Sequence, residues 1–135
     1  VNQNLQSNST GADFFNANSL TSFNTNGFTL GLNDNGNASS SSVAWQWRAS
    51  NAAAVSNTDG SITSSVSAST TAGFSIVTYT GTGSNATVGH GLGVAPSMYI
   101  VKRRSNTGNW YVYHIPVYMN RDLQNLNLLI NLLFF

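Results

Sequence analysis

Cysteine is absent from the 135-residue chain, which excludes disulfides, thiolate metal ligands and cysteine nucleophiles together. Glutamate is absent as well, so four Asp make up the whole acidic complement, and two His complete the residues from which catalysis is usually built. Charged residues reach only 7%, with a formal net charge of +1, where an ordinary soluble domain carries about 25%. This argues against a charge-extended disordered tail, an acidic activator and a strongly basic nucleic-acid binder. No apolar run reaches 18 residues, so no membrane-spanning helix is expected. The chain starts at Val1 without a basic or apolar leader, so no signal peptide is expected; without an initiator Met it reads as a window of a longer protein.

What is present is amide, hydroxyl and aromatic. Asn, Ser and Thr supply well over a third of the chain and, with 12 Gly, nearly half; 3 Trp, 5 Tyr and 7 Phe sit within a hydrophobic fraction of 41%. That is enough apolar area for one core in one domain. The pattern predicts an all-β fold. Leu20–Leu30 reads as two short strands about the Asn26-Gly27 pair, a strong hairpin signal. Val43–Arg48 alternates cleanly, with Val43, Trp45 and Trp47 on one face, and is the best single strand by pattern. Residues 49–72 read either as a linker or as a weak, poorly packing hairpin about Asp59-Gly60. Further strands are expected at Phe74–Thr80, Met98–Arg103 and Trp110–Tyr113, with a turn at Asn106–Asn109. Expected core residues are Phe28, Leu30, Trp45, Trp47, Phe74, Ile76, Ile100 and Val112. The apolar end, Leu123–Phe135, fits a strand face or a helix with an Asn/Gln stripe, with a weak lean to strand. A short echo between Val1–Gln6 and Met119–Gln124 suggests slightly more than one period of a tandem array, in which the chain ends would lie close together.

The strings Asn18–Phe23, Gly27–Gly31, Val43–Trp47 (VAWQW), Val55–Thr63, Gly73–Gly83 (GFSIVTYTGTG), Val88–Pro96 (VGHGLGVAP), Ile100–Arg104 and Trp110–His114 resemble a repeated domain of large structural proteins of tailed bacteriophages, of the tail-fibre or appendage kind. The resemblance spans roughly residues 5 to 114 and fades after His114. It implies a concanavalin-like or jelly-roll antiparallel β-sandwich in a single domain, 1–135. Residues 1–48 resemble the end of one repeat unit and 73–114 the start of the next, a circular permutation of the unit.

Motifs for chemistry are sparse. Gly81–Ala86 matches a dinucleotide fingerprint in letters, but Thr87–Pro96 is no helix and no acidic residue follows at the required distance; a Gly-rich hairpin is expected. His90 and His114 lack the partners a zinc site needs. Asn33–Asn37 and Asn57–Gly60 look like fragments of calcium loops but read as Asx turns. No Gly-x-Ser-x-Gly elbow and no facing carboxylate pair is apparent. Lys102, Arg103 and Arg104, with Arg48 apart from them, are expected to protect strand ends. The reading is therefore of a protein that is no enzyme and needs no cofactor or metal. The resemblance to the phage repeat implies a virion module, outside the cell, that spaces or presents a host-contacting surface. Its partners are neighbouring domains of the same protein, a homo-oligomer or host polysaccharide, with neither nucleic acid nor membrane among them. The alternative is a carbohydrate-binding module or adhesin domain of a secreted bacterial protein. Where exposed aromatics meet amides, sugar contact is expected from Trp110, Tyr111, Asn106 and Asn109, joined by His90.

Overall fold

The computed structural model describes residues 2–32, 37, 39 and 41–115. Among them the strands are β1 (Gln3–Asn4), β2 (Phe14–Phe15), β3 (Leu20–Asn24), β4 (Gly27–Leu30), β5 (Val55–Asn57), β6 (Ser64–Ser69), β7 (Phe74–Thr78), β8 (Met98–Lys102) and β9 (Trp110–His114). No α-helix occurs among these residues, so none is long and apolar enough to cross a membrane. All strand pairs are antiparallel and form the small sheets β1-β2, β3-β4, β5-β6-β7 and β8-β9. The fold class is thus all-β, but the described strands do not close into two facing sheets. The C-terminal strand-or-helix question, the Met119–Gln124 echo, the loop at Asn33–Gly36 and the position of the chain ends lie outside the described residues.

Local turn chemistry accounts for the hairpins. In β3-β4 the pair Asn24↔Gly27 closes on Thr25 and Asn26, so the turn lies one residue before the Asn26-Gly27 pair and Gly27 opens β4. Asn24 Nδ2 donates to Thr29 Oγ1 at 2.9 Å, tying the turn to the facing strand. In the β5-β6 connection, Asn57 Oδ1 accepts from Asp59 N at 3.1 Å and Asn57 Nδ2 donates to Asp59 Oδ2 at 2.7 Å. This is an Asx turn, complete without a metal.

The centre of the structure is the segment that looks weakest in sequence. β6, built of Ser, Ala and one Val, is the middle strand of the widest sheet. Its side chains alternate. Ser64, Val66 and Ala68 face one side with β7 residues Ser75 and Val77, and Ser65, Ser67 and Ser69 face the other with Phe74, Ile76 and Thr78. The first side is covered by residues 87–92. Ser61 and Thr87 exchange two backbone-to-hydroxyl bonds of 2.9 Å, and Ile62 N donates to Thr87 O. Ser64 Oγ donates to Gly89 O at 3.1 Å and Ser75 Oγ to His90 O at 2.6 Å. A Cβ at Gly89 would overlap the Asn57 side chain, and Gly91 turns with φ +71° directly over Val66. Small residues let the loop lie flat on the strands. Buried hydrophobic residues among those described are Val66, Leu92 and Ala49, and Ser64 is buried at 3% exposure.

This corrects the expected core. Trp45, Trp47, Ile76, Ile100 and Val112 are each more than half exposed, while Phe28, Leu30 and Phe74 are half-buried. Val43–Arg48 is not a strand. Alternation specifies which side chains share a face, but a strand also needs a neighbour to complete its ladder, and among the described residues no strand pairs with this segment. Its aromatics instead pack on one another: Trp47 stacks on Phe74 with ring centroids 6.3 Å apart, and Trp45 meets Trp47 edge-on at 6.4 Å.

Val66, 4% exposed, and Val43, 80% exposed, provide a direct test. Val66→Ala is expected to lower unfolding free energy by about 1.5–3 kcal/mol, and Val43→Ala by less than about 0.5 kcal/mol, in urea titrations followed by circular dichroism. Equal effects would place the core elsewhere.

Candidate functional site

The sequence-predicted sugar contacts centre on the β8-β9 hairpin. Register sets its two faces: Tyr99↔Tyr113 and Val101↔Tyr111 on one, Met98↔His114, Ile100↔Val112 and Lys102↔Trp110 on the other. Tyr99 and Tyr113 stack across the strands, 4.8 Å between centroids at 17°, a cross-strand pair of the kind that stabilises sheets. Both faces carry exposed apolar side chains, Tyr111 and Ile100 among them.

Trp110 lies half-buried on the opposite face from Tyr111, and its indole N–H donates to both Gln6 O and Ser9 O at 3.1 Å. Lys102 Nζ reaches the same N-terminal segment, donating to Gly11 O at 2.7 Å and Thr10 O at 3.3 Å, and Gly108 N donates to Thr10 O. Arg104 completes the clamp: Nε and Nη2 converge on Asp13 Oδ2 at 3.0 and 2.7 Å, while Asp13 N donates to Arg104 O at 2.9 Å. Residues 6–13 are thus fastened to the hairpin by a basic pair that the sequence reading assigned to edge protection. No local signal announces a pair 91 residues apart.

Asn106 and Asn109 are exposed in the loop joining β8 to β9. His90 belongs to the cover of the three-stranded sheet. Its Nδ1 accepts from Leu92 N at 3.2 Å and its carbonyl accepts from Ser75, so in the neutral ring Nε2 carries the hydrogen. The five residues therefore fall on separate surfaces: Trp110 against the N-terminal segment, Tyr111 on the reverse face, the two Asn in the loop and His90 on another sheet. Among the described residues no three His, Cys, Asp or Glu come together as a metal-holding group.

A second arrangement, missed by the sequence reading, lies on the uncovered side of β5-β6-β7. An open cleft of about 520 Å³ is lined there by Ser56, Ser65, Thr78, Tyr79 and Arg104, with further Ser and Thr. Alternation in β6 and β7 could have shown that this face carries hydroxyls. That Arg104 reaches it from a distant hairpin could not be read.

Small antiparallel sheets joined by hydroxyl and amide bonds, with exposed aromatic side chains, define a β-rich domain. The chain belongs to the family described as a domain of unknown function (DUF7483), whose model matches residues 1–131. The match runs past His114, and the family's description carries no link to phage proteins. No curated protein and no solved structure matches the chain.

The indole contact is testable. Trp110→Phe keeps the ring and loses the donor shared by Gln6 and Ser9; it is expected to cost about 1 kcal/mol, and amide exchange in residues 6–13 should quicken while β5-β6-β7 amides keep their protection. Uniform loss of protection would mean that the hairpin and the central sheet unfold as one unit.

Proposed function

We propose that the domain is a non-enzymatic structural module of a tailed-phage fibre or appendage, spacing or presenting a surface that meets the host. It acts in the virion and contacts neighbouring domains or copies of the same protein. The observation that carries this reading is the β8-β9 ribbon, which bears exposed apolar side chains on both faces, Tyr99, Tyr111 and Tyr113 on one and Met98, Ile100 and Val112 on the other. A two-stranded hairpin is marginal in water unless something packs on it. A second copy is the occupant that suits it, because each ribbon offers aliphatic side chains on one face, tyrosines on the other and edges that no other described strand pairs. Completed in this way, the small sheets join as layers of the concanavalin-like sandwich that the phage resemblance implies. The string matches from Asn18 to His114 and the near-absence of charge support the same reading. The alternative, a carbohydrate-binding or adhesin domain of a secreted bacterial protein, draws its support from the exposed Trp45 and Trp47 and the hydroxyl-lined cleft, since the residues at 106–111 do not converge.

Antibody raised against the chain should decorate fibres or appendages of purified virions in electron micrographs, and virions carrying no label would refute the assignment. In sedimentation velocity the chain should self-associate with rising concentration, and Ile100→Lys should shift it toward monomer. A wild-type chain that stays monomeric throughout would remove the assembly role.

A further inference from the structure

We propose that the uncovered face of the β5-β6-β7 sheet is a platform for a neutral polysaccharide chain. This deepens the carbohydrate-binding reading but moves the site to other residues, and it does not depend on the virion assignment.

The two faces of the sheet treat their hydroxyls differently. On the covered side Ser64 and Ser75 are consumed by carbonyls of the overlying loop. On the open side register aligns Ser56, Ser65 and Thr78 across the three strands. All three are exposed, and they line the 520 Å³ cleft with Tyr79 and Arg104 at its margin. Farther along β7 on the same side come Ile76 and then Phe74, whose ring carries Trp47 with Trp45 edge-on beyond it. Trp45 is 58% and Trp47 65% exposed. The strip from Thr78 to Phe74 covers five residues of strand, roughly 13 Å at the extended rise, and is longer than one sugar ring.

These features select a ligand class. Hydroxyls both donate and accept, as a sugar's hydroxyl fringe does, and exposed indole and phenyl rings suit the apolar face of a pyranose. The charge of Arg104 is answered by Asp13 at 2.7 Å, and the other cleft-lining residues are uncharged, so the surface offers no net charge to an anion. Arg104 keeps Nη1 for a neutral acceptor, because Asp13 engages only Nε and Nη2. A cleft lined by a row of hydroxyls and rimmed by Tyr79 and Arg104, with an aromatic stack farther along the same strand, therefore fits several successive units of an uncharged glycan.

The test is affinity electrophoresis of the whole chain in gels containing dextran, mannan or galactan, with polygalacturonate as the acidic comparison. At least one neutral polymer should retard the protein. Trp47→Ala and Thr78→Val should each weaken that retardation roughly tenfold, whereas Val43→Ala should leave it unchanged. Both tested side chains are exposed, so thermal unfolding should stay cooperative; should Trp47→Ala fail to fold, Thr78→Val alone decides. Retardation insensitive to both but abolished by Trp110→Ala would return sugar binding to the β8-β9 hairpin and refute this site. Retardation by polygalacturonate alone, vanishing in salt, would make it an anion site at Arg104. No retardation by any polymer would remove the platform and the carbohydrate-binding reading together, leaving the assembly role to its own test.

Discussion

The structure depends on one fastening, the laying of residues 87–92 across β6 and β7 by hydroxyl-to-carbonyl bonds. Ser64 and Ser75 supply the hydroxyls, and Gly89 and His90 the carbonyls. Each such bond is worth only about 1 kcal/mol net, but leaving the buried partner unmade costs more. Their placement over Val66 and Leu92 makes them specify where the loop sits. In a chain with so few charges, hydroxyls and amides do the joining that ion pairs share in ordinary domains. The same economy appears at the Asx turn of Asn57 and Asp59 and at the reciprocal Ser61–Thr87 pair.

A second, more polar joint holds residues 6–13 to the β8-β9 hairpin through Lys102, Arg104 and Trp110. Its ion pair is partly exposed, and such pairs contribute little to stability by themselves. Its effect is positional, since it brings Arg104 to the margin of the open cleft on the three-stranded sheet. Hydroxyl face, aromatic stack and guanidinium thus meet on one surface although they come from three distant stretches of chain. The apolar hairpin faces form a different surface, so the proposed assembly and the proposed glycan contact do not compete for the same residues.

Several features were legible from residues alone. The hairpin at Leu20–Leu30, the Asx turn at Asn57 and the strands beginning at Phe74, Met98 and Trp110 follow from local turn chemistry and β-forming side chains, which act within a few residues. Grouping Trp110 with Tyr111 in one sugar site goes against the same alternation, because neighbours along a strand point to opposite faces, as these two do. Val43–Arg48 misleads for the complementary reason: its alternation is clean, but no described strand pairs with it. Trp45 and Trp47 read as core by size and pattern and are exposed instead, since burial depends on which element arrives to cover them.

By itself the sequence determined the class of structure, all-β with Asn- and Gly-marked turns, and the kind of chemistry available, amide, hydroxyl and aromatic with almost no charge. These follow from composition and from interactions a few residues long. Only the tertiary structure decided that a Ser-rich strand would lie at the centre, that Val66 and Leu92 rather than the tryptophans would be buried, and that Asp13 would meet Arg104. Those outcomes turn on contacts between segments tens of residues apart, where the free energy gained depends on which surfaces come together and no periodicity in the chain encodes the partner.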